Sequence, residues 1–382
     1  MKIVIFGLSI SSSWGNGHAT LWRGLCKSLA RLDHSIVFFE RNRPYYEAAR
    51  DWRACEGVEL VLYDDWPAVR EVVVRNLLDA DVVIVTSYCV DAVAACDEAR
   101  EFPHVLRVFY DLDTPVTLSN LHAGEPVPHL GSNGLRDYDL VLSYTGGSAL
   151  DQLRTALGAQ RVAPLYGHVD PELHRPAQAA AHYRADLSYL GTYAADRQRA
   201  LEALFVAPAR ARPQQRFVMG GAQYPDSFPW SSNVYFVRHL PPEEHSAFFS
   251  SSRLTLNVTR EAMARLGWCP SGRLFEAAAC RTAIVSDHWP GLAEFYEPGQ
   301  EVLLARTTED TLAALDMSDA ELARIAQRAY ERTLAEHTSH RRAKDLLAML
   351  EDACNDRAHA APQLRHGAGG RVPANCGEPV RN

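Results

Sequence analysis

Asn257–Gly299 reads NVTREAMARLGWCPSGRLFEAAACRTAIVSDHWPGLAEFYEPG, and the eight residues at its centre, Pro270 to Ala277 (PSGRLFEA), describe a loop that turns directly into a helix. Ser271 suits the cap of that helix, and Gly272 lets a ligand approach the backbone closely. The first turn offers free amide N–H groups and a positive dipole end, which suit a phosphate. Arg273 adds a charged fork for phosphate oxygens. Glu276 lies one turn further on, within reach of a sugar's vicinal hydroxyls. A short apolar strand, Ala283 to Val285, follows, then a glycine turn at Pro290-Gly291, then Glu294. The pattern fits a sugar attached to a diphosphate. It also fits a capped amphipathic helix with an exposed Arg and a solvated Glu.

The composition sets the frame around this stretch. At 382 residues the chain exceeds one ordinary core, so two domains of about 170 residues each are expected. Hydrophobic residues at 47% and charged residues at 23% describe an ordinary globular chain. The net charge is -8, and the basic end of the chain leaves the rest still more acidic. Such a body argues against nonspecific nucleic-acid binding, which depends on neutralising phosphates. Eight cysteines are scattered without a C-x-x-C pair, which is neither a zinc framework nor a disulfide scaffold and points to a reducing cytoplasm. The chain opens at once on a strand pattern, so no signal peptide is expected. No apolar run approaches the length of a membrane span.

In the first half, Lys2 to Leu8 (KIVIFGL) is a β-branched run that fits a strand buried on both faces of a parallel sheet. Short apolar strands recur at 35–39, 58–61, 82–86, 105–109 and 140–143 with helical segments between them, as a doubly wound α/β domain requires. Ligands bind outside the carboxyl ends of such strands. Two loops there stand out. Ser11 to His18 (SSSWGNGH) fails the dinucleotide fingerprint because Thr20 stands where the third glycine would. His18 opens the following helix, either as a cap or surface residue or with its ring in the cleft. The second loop, Tyr110 to Pro115 (YDLDTP), carries Asp111 and Asp113 at i and i+2, on one side of an extended chain. Asp113 also suits the cap of a turn before Pro115. The following residues, 116–134, read as a long loop and a candidate acceptor-binding lid.

The second half repeats the architecture. Tyr166 to Asp186, with two prolines and an Ala-rich polar run, reads as a linker. A strand and glycine turn follow at Leu187 to Tyr193 (LSYLGTY), and another at Phe217 to Ala222 (FVMGGA), where Gly220 and Gly221 let a base or phosphate lie against the backbone. Thr259 and Arg260 sit at the end of the strand Leu254–Val258, on the cleft side. The helix from His340 has apolar residues at 343, 346, 347 and 350, a one-face spacing.

Taken together, SSSWGNGHAT, YLGTYAADR and PSGRLFEAAAC resemble the GT-B glycosyltransferases, specifically the bacterial group related to the CgeB spore-maturation proteins, over roughly residues 1–350. Two positions depart from the family pattern: Trp268 stands where the first of two spaced glutamates belongs, and Arg281 replaces a usual glycine. The resemblance implies a GT-B fold of two Rossmann-like doubly wound domains facing each other across a cleft. The expected layout is 1–165 for the acceptor domain, 166–186 for the linker, 187–338 for the donor domain, 339–356 for a helix packing back on the first domain, and 357–382 for a disordered tail. It implies donor contacts at Gly191, Thr192, Arg197, Gly220, Gly221, Arg260, Ser271, Gly272, Arg273 and Glu276, with Glu276 on the ribose. Gly15, Asn16, Gly17 and Asp113 are expected on the cleft's acceptor side. Asp111 and His18 are the candidate bases should the reaction invert. The implied activity is transfer of a sugar from a nucleotide diphosphate, a UDP-sugar first, to an unknown acceptor, without metal or other cofactor, by a cytoplasmic monomer or homodimer. A nucleotide-sugar epimerase of the same fold, or a silent nucleotide-sugar binder, remains the alternative.

Overall fold

Among the described residues thirteen short runs form strands, and all of them pair in parallel. A computed structural model describes residues 1–52 and 54–360. The first sheet contains β1 (Lys2–Gly7), β2 (Ser35–Arg41), β3 (Val58–Tyr63), β4 (Val82–Thr86), β5 (Leu106–Asp111), β6 (Leu140–Ser143) and β7 (Val162–Pro164), in the order β3-β2-β1-β4-β5-β6-β7. The second contains β8 (Ala185–Leu190), β9 (Phe217–Gly221), β10 (Val234–Arg238), β11 (Ser252–Asn257), β12 (Ala283–Ser286) and β13 (Leu303–Leu304), in the order β10-β9-β8-β11-β12-β13. These are the two doubly wound α/β domains that the strand pattern predicts.

The alternation along β1 explains its unbroken apolar run. Ile3 and Ile5 face a core with Trp22, Leu25 and Leu29, whereas Val4 and Phe6 face another with Val69, Val73 and Ala95. Each such side chain contributes roughly 1.5–3 kcal/mol on burial. In each sheet the strand order reverses once, between β1 and β4 and between β8 and β11. A crevice opens outside the carboxyl ends at such a reversal.

Two crossings join the domains, and they run side by side. The Val169 N–H donates to the His337 carbonyl at 3.0 Å, and the Ser339 N–H donates to the Val169 carbonyl at 2.8 Å. The final helix, Ser339–Ala360, then lays Ala343, Leu346, Leu350 and Ala353 into the first-domain core beside the helix His18–Ala30. No helix among the described residues is long and apolar enough to cross a membrane.

Three sequence expectations need correction. The supposed loop at 116–134 begins as a helix, Thr114–Ala123, because Pro115 is preset for a first turn and Gly124, at φ 70°, ends it. Strand β8 begins at Ala185, so the last two residues of the expected linker belong to the second sheet. The last helix continues to Ala360, so residues 357–360 are helical rather than part of a tail. The expected disorder of 361–382 falls outside the described residues.

Candidate functional site at the facing switch points

The two strand-order reversals face each other across one cleft of about 390 Å³. Gly15, Asn16, Gly17, His18 and Asp113 line it from the first domain; Gly191, Thr192, Arg197, Gly221, Arg260, Ser271, Gly272, Arg273 and Glu276 line it from the second. Sequence reasoning therefore placed most of its candidates in one space. Gly220 and Asp111 are the exceptions.

On the second-domain side, backbone meets backbone. The Gly191 N–H donates to the Gly220 carbonyl at 2.9 Å. A Cβ on Gly191 would lie 2.6 Å from Arg273 Nη2 and 2.7 Å from Tyr189 Oη, so glycine is required for the guanidinium to lie there. Gly221, at φ 154°, is held in a conformation that favours glycine for the same approach. Gly220 is buried within β9 against Leu190 and Phe248; its contribution is packing rather than ligand contact.

Arg273 is held from behind. Its Nε donates to the Leu190 carbonyl, Nη1 donates to Asn257 Oδ1 at 3.0 Å, and the guanidinium stands 4.8 Å from the Tyr189 ring centroid. Arg197 Nη1 donates to the Thr192 carbonyl at 3.0 Å, while its buried Nε has no partner among the described residues. Ser271 precedes the helix Gly272–Ala279 with extended backbone, yet among the described residues its hydroxyl makes no cap bond. The expected serine cap is thus absent, and the helix presents its first amides toward the cleft. Trp268, the departure from the family pattern, is not in the cleft lining; its Nε1 donates to Glu294 Oε1 at 2.6 Å.

The first-domain side is organised by one buried carboxylate. Glu40, at the end of β2, is buried and accepts from the Ile10 and Ser11 N–H groups at 2.8 and 2.9 Å and from the Ser9 and Ser11 hydroxyls at 3.0 and 2.6 Å. It is the anchor of the glycine loop. Asn16 continues that role: its amide donates to the Ser9 carbonyl at 3.2 Å, and its Oδ1 accepts from the His18 N–H at 3.1 Å. Its side chain braces the loop from beneath.

Asp111 and Asp113 do not point the same way. The chain turns after β5, and the Asp113 N–H donates back to Asp111 Oδ1 at 3.1 Å. Asp111 ends fully buried and outside the cleft lining, so its expected role as a base does not fit its position. Asp113 lines the cleft instead. Its Oδ2 accepts from Tyr88 Oη at 2.6 Å and stands 3.8 Å from Arg260 Nη1, which brings the two domains into electrostatic contact. Asp113 Oδ1 is buried and has no hydrogen-bond partner among the described residues. Tyr88, at φ 66°, is held in a conformation rare for a side chain of its size. His18 packs beside it, with ring centroids 6.3 Å apart. Burial lowers the His18 pKa and Asp113 opposes that shift, so burial favours the neutral ring. Cys269 also lines the cleft, but burial pushes its thiol up to about 12, which removes it as a nucleophile at neutral pH.

Burial pushes the Asp111 carboxyl up to about 6, with the Asp113 charge adding to the effect and the Asp113 N–H opposing it. A folded-state pKa above the unfolded value means that the protonated form is favoured by folding. The stability from this group is present at low pH and is lost as pH rises through about 6. Asp111→Asn is therefore expected to stabilise the fold at pH 7–8 by at most about 3 kcal/mol and to gain little near pH 4. Melting curves of the two proteins from pH 4 to 8 measure the difference; a variant less stable at pH 8 would contradict it.

Glu276 completes the wall. Its two oxygens face His174 Nε2 at 3.9 Å and His245 Nδ1 at 3.8 Å. Neither histidine was singled out from the sequence, since one lies in the interdomain crossing and the other in a helix 71 residues away. Tyr88 was missed for the same reason. No local pattern announces them.

Known proteins share this architecture. Residues 197–348 match the family described as glycosyl transferase-like. Sucrose-phosphate synthase from Thermosynechococcus elongatus is similar in structure, with a TM-score of 0.69 and 14% identity over 93% of this chain and 100% of that one. Anabaena HepE, in complex with UDP and glucose, gives 0.64 and 14% over 92% and 99%. An E. coli trehalose-6-phosphate structure bound with UDP-2-fluoro glucose gives 0.60 and 13% over 92% and 99%. Among curated protein sequences none matches this chain. The fold is GT-B, and the second domain carries the glycosyl transferase-like pattern.

Proposed function

We propose that this GT-B chain is a glycosyltransferase that moves a sugar from a nucleotide diphosphate to a hydroxyl acceptor. One observation carries the reading. The open first turn of the helix Gly272–Ala279, Arg273, the free Nε of Arg197 and Glu276 lie on one wall, opposite His18 and Asp113. The wall matches a donor in two parts. Helix amides and arginines suit the diphosphate, whose negative charge grows as the sugar leaves. Glu276 suits the vicinal hydroxyls of a ribose. A UDP-sugar is the first candidate, since HepE is in complex with UDP-glucose.

In the proposed reaction the bond between the anomeric carbon and the diphosphate oxygen breaks, and its electron pair leaves with the nucleotide. The acceptor oxygen forms the new bond to carbon. Its proton goes to Asp113 or His18 on the opposite wall, with Tyr88 holding Asp113 in place. The leaving group is stabilised by amides and guanidinium groups, so this scheme routes no step through a metal. Placement in the CgeB-like group rests on the run Pro270–Ala277.

A melting-temperature screen against nucleotide-sugars tests the reading, because a ligand that binds only the folded state stabilises it by mass action. One base and one sugar are expected to stand out together. A panel without any stabilising nucleotide would overturn the proposal.

A further inference from the structure

We propose that His174, His245 and Glu276 form a site for a zinc-class divalent cation in the wall of the cleft, and that this cation excludes the donor. The three residues come from the interdomain crossing, the helix Pro242–Ser250 and the helix Gly272–Ala279. One ligand atom from each lies within 4.8 Å of the others. His174 Nε2 and His245 Nδ1 are 3.2 Å apart. Two atoms bound at about 2.0–2.1 Å to one tetrahedral ion stand about 3.3 Å apart, so the histidine pair is already at chelating distance. A different Glu276 oxygen is nearest to each ring, and with one oxygen as ligand the set spans up to 4.8 Å, so the carboxylate swings in by up to about 1.5 Å to join them.

The chemistry of each group fits. His245 Nε2 lies 3.3 Å from the Leu240 carbonyl, which accepts its proton. That contact fixes the tautomer and turns the Nδ1 lone pair toward His174 and Glu276, as a carbonyl behind a metal-bound histidine does. The Glu276 oxygens, at 3.8 and 3.9 Å, are too far from the rings for hydrogen bonds. Without a cation the His174 Nε2–H donates to His245 Nδ1; a cation takes the place of that proton, and His174 then carries its proton on Nδ1, which has no partner among the described residues. Two nitrogens and one carboxylate suit Zn²⁺ or Co²⁺, whereas Mg²⁺ and Ca²⁺ prefer oxygen ligands. Three protein ligands leave a position open on the cleft side, where His245 and Glu276 are part of the lining.

The exclusion of donor rests on the proposed function, because Glu276 is the carboxylate assigned there to the ribose. The cation site itself does not. This departs from the metal-free expectation drawn from the sequence while leaving the transfer step metal-independent: the ion is an inhibitor.

The test begins with Co²⁺ titrated into the full chain without nucleotide, followed by visible absorption. One equivalent is expected to give the intense bands of a low-coordinate Co²⁺ site, which Zn²⁺ then bleaches. Glu276→Gln and the double variant His174→Ala/His245→Ala are expected to weaken Co²⁺ by at least about 10–100-fold, the range that even a contact behind a ligand commands. Melting curves establish that each variant is folded. No such bands in the wild type, or bands unchanged in a folded double variant, overturn the site even where nucleotide binds as proposed. The second arm measures UDP affinity with and without one equivalent of Zn²⁺. Weakening by at least tenfold is expected in the wild type and not in the double variant, which controls for chelation by UDP in solution. If Co²⁺ binds but UDP affinity does not respond to Zn²⁺, the shared role of Glu276 fails and the cation site stands.

Discussion

Asp113→Asn is expected to slow sugar transfer by roughly 10²–10⁴-fold, the usual range for loss of a general base, while nucleotide affinity stays within a few-fold. Asparagine keeps the shape and can still accept from Tyr88 Oη, so the turn after β5 should survive. What disappears is the carboxylate charge of a residue in the cleft lining. The contacts assigned to the nucleotide all belong to the second domain, which is why affinity and turnover should separate. The ion pair with Arg260, at 3.8 Å, is weakened too, and a melting curve reads that effect independently. His18→Ala is the companion variant, since burial favours its neutral ring and it is the other candidate base on that wall. Isothermal titration with the nucleotide product, run beside a turnover assay, gives both quantities on one preparation. Turnover that survives both substitutions would remove both residues as the base and favour a mechanism without one. Affinity that collapses in Asp113→Asn would mean that the nucleotide reaches across to the first domain.

The second large effect belongs to Glu276. Glu276→Ala is expected to weaken nucleotide binding by roughly 1.5–3 kcal/mol, the scale of hydrogen bonds to a charged group, or about 10–150-fold in Kd. The measurement requires a chelator, so that the cation proposed for the same carboxylate does not intrude. Glu276 is the cleaner probe of this wall than Arg273. The Arg273 guanidinium also ties β8 to β11 through the Leu190 carbonyl and Asn257, so its removal mixes stability with binding. Glu276 is half-buried at the cleft surface, and the melting temperature of the ligand-free variant should barely move. Affinity equal to that of the wild type would contradict the assignment.

The fold was legible because a parallel strand buried on both faces must be apolar at successive positions. Lys2 to Leu8 and Val82 to Thr86 carry that signature in the letters alone. The glycines at strand ends were legible too, since Gly191 and Gly221 mark places where side chains do not fit. The facing of single residues was not. Both aspartates of the loop were expected at the cleft, Asp111 as the candidate base and Asp113 on the acceptor side, but the turn after β5 buries Asp111 and leaves Asp113 in the cleft lining. Glu40 could not be identified as the anchor of the glycine loop, because the loop lies on β1 and the carboxylate on β2, paired only through the sheet register. His174 meets His245 and Glu276 only after the chain has crossed between domains. Such juxtapositions depend on tertiary closure, and local periodicity contains no record of them. The loop expected at 116–134 is helical in its first part for a simpler reason: Pro115 opens the helix Thr114–Ala123.

Phosphorus NMR of the donor identified by the melting screen, followed over long incubation with stoichiometric protein, tests the central claim most directly. A transferase given only water as acceptor should slowly convert the diphosphate ester of the nucleotide-sugar into free nucleoside diphosphate, and Asp113→Asn should slow that conversion. An ester that stays intact while the protein holds the donor would contradict transfer, and an intact ester whose sugar protons report a new epimer would replace it with isomerisation.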